Sequence, residues 1–126
     1  MPQKGNRSFR KDIGDWGERK AAELLRNQSY TILETNFRCR TGEIDIVAQD
    51  DDCLVFVEVR TKSGTNFGSP EESITNTKKQ KLISAAMTYI QGHEDAPESW
   101  RIDVVAIQLT PTHKHLHTEH IKNAIY

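Results

Sequence analysis

The sequence predicts an α/β fold in which a mixed sheet is covered by helices on its faces. Two segments, near residues 12–25 and 77–91, place apolar residues at helical spacing, which is typical of amphipathic helices. Between them, two β-branched runs within residues 42–62 predict a hairpin, and a strongly apolar run at residues 100–109 predicts a later strand. The predicted order is therefore a helix, three antiparallel strands, a helix, a strand and a short terminal element.

The composition fits one globular domain. With 126 residues, of which 36% are hydrophobic and 28% charged, the chain is long enough to bury its own core. No apolar run reaches the length of a membrane span, and the first residues lack the apolar core of a signal peptide, so we expect a cytoplasmic protein with no membrane partner. Cys39 and Cys53 fit no metal-binding spacing and are predicted to be free thiols.

The net charge of −1 does not by itself indicate a nucleic-acid partner. Its distribution is uneven, because residues 1–40 hold nine Lys and Arg against five Asp and Glu, while residues 41–126 hold eight against thirteen. A basic N-terminal third suits a surface that faces phosphate, although a locally basic segment is also common on a solvated surface.

The first helix is predicted to begin at Asp12, a suitable N-cap residue, after a flexible polar segment over residues 1–10. The single domain then spans residues 11–126. Glu18 lies at the edge of the apolar stripe of this helix, and no basic residue lies three or four positions from it. A charge pair along the helix therefore does not explain Glu18, which leaves a structural and a functional role both open.

Residues 30–38 alternate well enough to form the first strand, with Asn36 as a candidate bulge. The hairpin follows, and three consecutive aspartates join its two arms. If residues 51–52 form a two-residue loop, Asp50 pairs with Cys53, and this pairing sets the register of both arms.

That register places Asp45 directly opposite Glu58, where facing Cβ atoms are only about 5 Å apart. Ile44, Ile46 and Ala48 are predicted to share the other face of the first arm. Two carboxylates this close on a partly buried surface repel, so one is protonated unless a cation lies between them, and a divalent metal is the natural cation. The alternatives are ordinary solvent-facing acids and a one-residue slip that would separate the pair.

A loop rich in Gly, Ser and Asn follows the hairpin and ends at Pro70, which is predicted to start a short helical turn. The second long helix is predicted over residues 77–91. Thr77 and Gln80 form its capping-box pattern, and Gly92 is its stop signal.

Three lysines, Lys78, Lys79 and Lys81, lie in the first turns of the second helix. Positive charge there opposes the helix dipole and is locally unfavourable. Binding of phosphate would explain the lysines, and surface solubility is the alternative explanation.

Four histidines follow the last predicted strand, at His113, His115, His117 and His120. Histidines at a spacing of two can line up as metal ligands on a strand. We favour a polar edge strand instead, because no acidic or cysteine ligand joins the histidines at a supportive spacing.

In three features the chain resembles the PD-(D/E)xK nuclease superfamily, with its restriction-endonuclease-like core. These are a helix bearing Glu18, a strand bearing Asp45, and a next strand bearing Glu58 with a basic residue two positions later. More closely, the chain resembles the YraN-like family of uncharacterised bacterial proteins, which are similar to archaeal Holliday-junction resolvases. This resemblance covers the chain from about Gly14 to its end. It rests on GEIDIVA from Gly42, FVEVRTK from Phe56, FGSPE from Phe67, Lys78 and RIDVV from Arg101.

The resemblance implies roles for individual residues. Asp45 and Glu58 would bind Mg²⁺ or Mn²⁺ together with the carbonyl of Val59, and Glu18 would approach the metal or its water. The catalytic lysine of the superfamily falls on Arg60, which cannot act as a general base because arginine stays protonated. An arginine can still stabilise charge that develops on a phosphoryl group.

Lys62 points to the same strand face one step further along and is a candidate substitute for that lysine. The implied activity is that of a Mg²⁺-dependent endonuclease that hydrolyses DNA, including branched or structured DNA, as a homodimer. Lys78, Lys79 and Lys81 would hold the DNA backbone. The alternatives are a catalytically inactive module that binds nucleic acid or protein, and a domain whose acids bind metal for structure only.

Overall fold

The structure is a computed structural model that describes the backbone of residues 5–64 and 74–125 and the side chains of residues 11–64, 74–115 and 117–125. The described residues form two helices and five strands. In chain order these are α1 Gly5–Asn27, β1 Thr31–Cys39, β2 Gly42–Asp50, β3 Cys53–Ser63, α2 Asn76–Gln91, β4 Ser99–Leu109 and β5 His115–Ile125. Within these ranges no helix is long and apolar enough to cross a membrane. Both cysteines are free thiols, as predicted.

The five strands form one sheet in the order β1-β2-β3-β4-β5. β3 pairs with β4 in parallel, and the other neighbouring pairs are antiparallel. α2 lies between β3 and β4 along the chain, in the crossover connection that a parallel pair requires. The predicted α/β class and element order are therefore confirmed, and the terminal element is an eleven-residue edge strand rather than a short one.

Each helix covers one face of the sheet. Leu25 of α1 belongs to a buried cluster with Val57 of β3, whereas Leu82 of α2 belongs to a second cluster with Phe56 of β3. Because strand side chains alternate, the central strand β3 is buried on both faces. Glu58 follows Phe56 on the α2 face of this strand.

Two glycines allow the helices to approach the strands closely. A Cβ atom added at Gly17 of α1 would overlap the Thr61 hydroxyl of β3. A Cβ atom added at Gly42, the first residue of β2, would lie 2.9 Å from the Lys81 carbonyl oxygen of α2. The first contact fixes α1 beside β3, and the second fixes the β1–β2 turn against α2.

The hairpin of β2 and β3 has the predicted register. Asp50 pairs with Cys53 across a two-residue turn, and the last pair of the ladder joins Ile46 to Val57.

β2 departs from regular alternation at Asp45. Ile44 belongs to the α2 cluster, whereas Ile46 and Ala48 belong to the α1 cluster, so the prediction that these three residues share a face is wrong at Ile44. The pairing of β1 with β2 skips Asp45 and the facing Asn36, whose φ is 54°. Asparagine tolerates this left-handed conformation, and the resulting distortion reverses the side-chain direction along β2.

α1 begins earlier than predicted, at Gly5. Asp12 therefore lies exposed within the helix and is not its N-cap, because the Lys- and Arg-containing segment before it also favours helix. The helical turn predicted at Pro70 lies outside the described residues, as does the glycine-rich loop before it.

α2 begins at Asn76, and Thr75 is its N-cap. The Thr75 hydroxyl accepts a hydrogen bond from the Lys78 N–H at 3.1 Å. The predicted capping box of Thr77 and Gln80 is wrong because Thr75, two residues earlier, has the extended backbone that a cap requires. The helix ends before Gly92, as predicted.

A buried ionic cluster joins β4 to β5. Asp103 has no exposed surface, and its carboxylate lies 2.9 Å from Arg101 Nε, 2.8 Å from His120 Nε2 and 2.9 Å from the Asn123 N–H. Arg101 also donates to the Tyr30 hydroxyl at 2.7 Å. Burial alone would raise the pKa of Asp103, but these hydrogen bonds outweigh it and hold the pKa below its usual value.

Candidate active site

An open pocket of about 720 Å³ lies between the start of β2 and the end of β3, and α1 and α2 contribute to its walls. The pocket collects three predicted site residues, Glu18 from α1, Asp45 from β2 and Glu58 from β3. Lys78 reaches it from α2. The other lining residues are Ile13, Gly14, Glu43, Val59, Thr61, Ser63 and His113.

Asp45 and Glu58 lie at the centre of the acidic side of this pocket, which we call the acidic pocket. They are the residues next to Ile46 and Val57, the last pair of the β2–β3 ladder. The Val59 N–H donates a hydrogen bond to Asp45 Oδ2 at 2.8 Å, which fixes this carboxyl against β3. The carboxyl groups of Asp45 and Glu58 are close enough for each to influence the pKa of the other, and Glu58 is only 5% exposed. The predicted proximity of the two acids is confirmed.

The environment of this pair opposes negative charge. Burial, followed by the nearby charge of Asp45, raises the pKa of Glu58 to about 7, although Lys78 and Arg60 act in the opposite direction. Burial also raises the pKa of Asp45, against the hydrogen bond from the Val59 N–H. A pair of carboxyls in this state shares a proton, and a bound cation can replace that proton.

Glu18 brings a third carboxyl to the pocket from the opposite face of the sheet. Burial and the charge of Asp45 raise the pKa of Glu18, whereas a hydrogen bond with the Asn36 side chain lowers it. The prediction treated Asn36 only as a candidate bulge and missed this contact. The alternation of the strand indicated an irregularity at Asn36, but only the fold shows that this residue lies beside Glu18.

Two cations balance Glu58. Lys78 Nζ lies 3.7 Å and an Arg60 guanidinium nitrogen 3.9 Å from Glu58 Oε2. Arg60 therefore contacts the acidic pair by its ion pair with Glu58, although it is not among the described residues that line the pocket.

The structure separates the remaining predicted basic residues from the pocket. Lys62 is absent from the described lining residues, and its backbone carbonyl accepts a hydrogen bond from Gln108 at 3.2 Å. Lys79 is partly exposed and is likewise absent from the described lining, whereas Lys81 lines a neighbouring groove. Of the four lysines predicted to take part in the site, Lys78 is the one that lines the pocket.

The donor set fits a hard cation that needs few protein ligands. Among residues 11–64, 74–115 and 117–125, no three His, Cys, Asp or Glu side chains are arranged to hold a metal ion. Asp45 and Glu58 offer two carboxyls, with the carbonyl of Val59 as a main-chain candidate. Mg²⁺ commonly takes one or two carboxylates and keeps several waters, so this set fits Mg²⁺ or Mn²⁺ better than Zn²⁺.

Two of the histidines near the C-terminus contact other side chains. His120 contacts the buried Asp103, and His115 Nε2 lies 2.8 Å from the Thr118 hydroxyl. Both residues belong to β5, at the edge of the sheet, which confirms the predicted edge strand.

Residues 17–107 match the family model described as "Uncharacterised protein family UPF0102". A UPF0102 protein of Roseiflexus castenholzii is 46% identical over 115 residues, which cover 90% of this chain and 92% of the relative. One from Dehalococcoides mccartyi is 47% identical over 116 residues, covering 92% and 94% respectively. One from Clostridium botulinum is 43% identical over 115 residues, covering 90% and 94%. The names of these relatives state a family and no activity.

Proposed function

The chain belongs to the uncharacterised protein family UPF0102, and we propose that it is a metal-dependent nuclease that hydrolyses phosphodiester bonds of DNA. The family resemblance predicted from the sequence motifs is confirmed. The observation that carries the proposal is the pair of neighbouring carboxyls, Asp45 and Glu58, in a pocket that also receives Glu18 and Lys78.

In this proposal Asp45, Glu58 and the carbonyl of Val59 hold one or two Mg²⁺ or Mn²⁺ ions. When bound, the metal polarises the phosphate and lowers the pKa of a water molecule. The Val59 N–H keeps Asp45 oriented. Glu18, on the α1 side of the pocket, can accept a proton from water.

The basic residues supply fixed positive charge. Arg60 stays protonated, so it balances Glu58 and the phosphoryl charge instead of acting as a base. Lys78 can exchange its contact with Glu58 for a phosphate oxygen once a metal neutralises the acids. Contacts to the backbone carry no sequence information, so we propose cutting that is nonspecific or selective for DNA structure, including branches.

A direct test compares metal binding with cleavage. Mg²⁺ and Mn²⁺ are titrated calorimetrically into the wild type, Asp45→Asn and Glu58→Gln, and the same proteins are incubated with linear duplex, single-stranded and branched DNA. The proposal expects both substitutions to abolish metal binding and cutting. Glu23→Gln, the same change at an exposed position of α1, is the matched control and should behave as wild type.

Two outcomes would contradict the proposal. A wild-type protein that binds no divalent metal cannot act by this mechanism. Cleavage that persists undiminished in Glu58→Gln would show that the activity comes from another site or from a contaminant.

The second candidate is a module that binds nucleic acid or protein without cutting it. The observation that favours it is the pair of cations already placed at Glu58, with Arg60 at the position of the usual lysine. DNA binding that needs no metal and survives Glu58→Gln, without any cleavage, would support this candidate. Both candidate functions include a homodimer. Light scattering with and without DNA measures the molar mass in solution and tests for it.

A further inference from the structure

A second, smaller groove of about 400 Å³ lies beside the acidic pocket, between the β1–β2 turn and α2. Arg38 and Arg40 line it from the turn, and Lys78 and Lys81 line it from α2. We call these four residues and the space between them the basic groove.

The basic groove concentrates positive charge in a chain whose net charge is −1. Among the described residues, the four cations share the lining of this groove with a single carboxylate, Glu43. Arg38 Nε lies 3.2 Å from Glu43 Oε2, but the two side chains are 76% and 46% exposed, and such surface pairs contribute little to stability. Arg38 can therefore leave Glu43 for a stronger anion at small cost.

The two walls of the basic groove are held in place by their backbones. Gly42 brings the turn against the Lys81 carbonyl with no room for a side chain. The Cys39 thiol lies 3.4 Å from the Gly42 carbonyl and 3.4 Å from the Thr41 hydroxyl, which ties the turn to itself. The spacing of the arginines and lysines is thus set by backbone contacts rather than by the side chains alone.

The basic groove and the acidic pocket are continuous, because Lys78 and Glu43 line both. Lys78 Nζ is also 3.7 Å from Glu58 Oε2. A polyanion lying along the basic groove would therefore lead directly to the acidic pair.

We propose that the basic groove binds the sugar-phosphate backbone of a nucleic acid strand on one side of the phosphodiester that lies at Asp45 and Glu58. This inference rests on the proposed nuclease function for the position of that phosphodiester. It assigns Arg38 and Arg40, which the sequence motifs do not mark, to strand binding together with Lys81. Acidic protein is the less favoured partner, because a groove that runs into a carboxyl pair suits an anion that can share a metal with that pair.

The test is a salt titration of binding in EDTA, so that no cutting occurs. Fluorescence anisotropy of labelled DNA and RNA of one sequence is measured for the wild type and for Arg38→Gln with Arg40→Gln. Loss of two phosphate contacts should weaken binding and reduce the slope of log K against log [NaCl] by about 1 to 2. The DNA and RNA arms decide which backbone is preferred.

The matched control is Arg26→Gln with Lys122→Gln, two exposed cations that line neither the pocket nor the groove among the described residues. The control removes the same net charge and should keep the wild-type slope. Equal slopes for the two double variants would overturn the inference. Competition by polyglutamate as effective as that by unlabelled DNA would overturn the assignment to nucleic acid.

A second variant tests the geometry without changing charge. Gly42→Ala forces the β1–β2 turn away from α2 and widens the basic groove. Binding of DNA should weaken while circular dichroism reports a folded protein, and unchanged binding by folded Gly42→Ala would count against a preformed groove.

The outcomes also separate this inference from the proposed function. If cleavage depends on Glu58 but the arginine substitutions leave the salt slope unchanged, the nuclease proposal is supported and strand binding in the basic groove is contradicted. If the arginine double variant has a reduced salt slope but the wild type shows no metal-dependent cleavage, strand binding in the basic groove is supported and the nuclease proposal is contradicted.

Discussion

Asp45 and Glu58 come from neighbouring strands and face the same pocket at the point where the β2–β3 ladder ends. The Val59 N–H satisfies one oxygen of Asp45, and Lys78 and Arg60 approach one oxygen of Glu58. The pair is therefore held together although burial opposes its charge, and several consequences can be measured.

Glu58→Gln should stabilise the metal-free protein at mildly alkaline pH. The substitution removes a buried group whose ionisation the surroundings oppose, and the free energy of unfolding should rise by about 1 to 3 kcal/mol. Urea denaturation in EDTA measures this change. Added Mg²⁺ should stabilise the wild type but not the variant, and a variant less stable than wild type in EDTA would contradict the predicted repulsion.

Lys78→Gln should change two affinities in opposite directions. Without the ammonium group near Glu58, the acidic pair should bind Mg²⁺ about 2 to 5 times more tightly, because a partly exposed ion pair is worth up to about 1 kcal/mol. DNA binding in EDTA should weaken, since the same lysine lines the basic groove.

Lys79→Gln is the charge-matched control for the metal measurement on Lys78→Gln. It removes the same charge one residue away, outside the described lining of the pocket. If both variants bind Mg²⁺ like the wild type, the contact between Lys78 and Glu58 has no influence on the metal site.

Asp103→Asn should destabilise the protein at neutral pH by about 3 kcal/mol, because it removes the buried carboxylate that pairs with the partly buried Arg101 and leaves Arg101 its longer contact to Asp50. The pKa of Asp103 lies below its usual 3.8, so its stabilising contribution is present above that value and is lost as pH falls through the lower, folded-state pKa. The variant should therefore lose less stability than wild type over this acidic range.

Urea denaturation at a series of acidic pH values checks the behaviour of Asp103→Asn. Asp52→Asn, at an exposed turn position, should follow the wild-type curve. Parallel pH curves for wild type and Asp103→Asn would show that this carboxylate is not the group whose protonation destabilises the fold.

Gly17→Ala should destabilise the protein by about 1 to 3 kcal/mol, because its Cβ would overlap the Thr61 hydroxyl and force α1 away from β3. Thr61→Ala removes that hydroxyl, so the double variant should recover part of the loss and reveal a coupling energy. Gly14→Ala is the control, since an added Cβ there meets no atom within 4 Å and should stabilise α1 by up to about 1 kcal/mol.

The hairpin and its acids were predictable because they are local. Three aspartates in one turn fixed the pairing of Asp50 with Cys53, and strand alternation then carried Asp45 to Glu58 without any tertiary information. The face taken by Ile44 was not predictable, because it depends on the distortion beside Asn36 on a different strand.

The start of α2 shows a different difficulty. Thr75 and Thr77 are both suitable cap residues, and only the backbone conformation at Thr75 decides between them. Arg38 and Arg40 also escaped prediction, since their proximity to Lys81 depends on how closely the β1–β2 turn packs against α2.

The parallel pairing of β3 with β4 has a consequence for the folding kinetics. The β2–β3 hairpin closes a two-residue loop, whereas β4 can join β3 only after the chain has passed through α2, and long loops close late because of their entropy. Asp45 and Glu58 are thus brought together early, in water, and are dehydrated only when β4 and α2 dock. Glu58→Gln should then slow unfolding more than it speeds refolding, as stopped-flow chevron plots in EDTA would reveal.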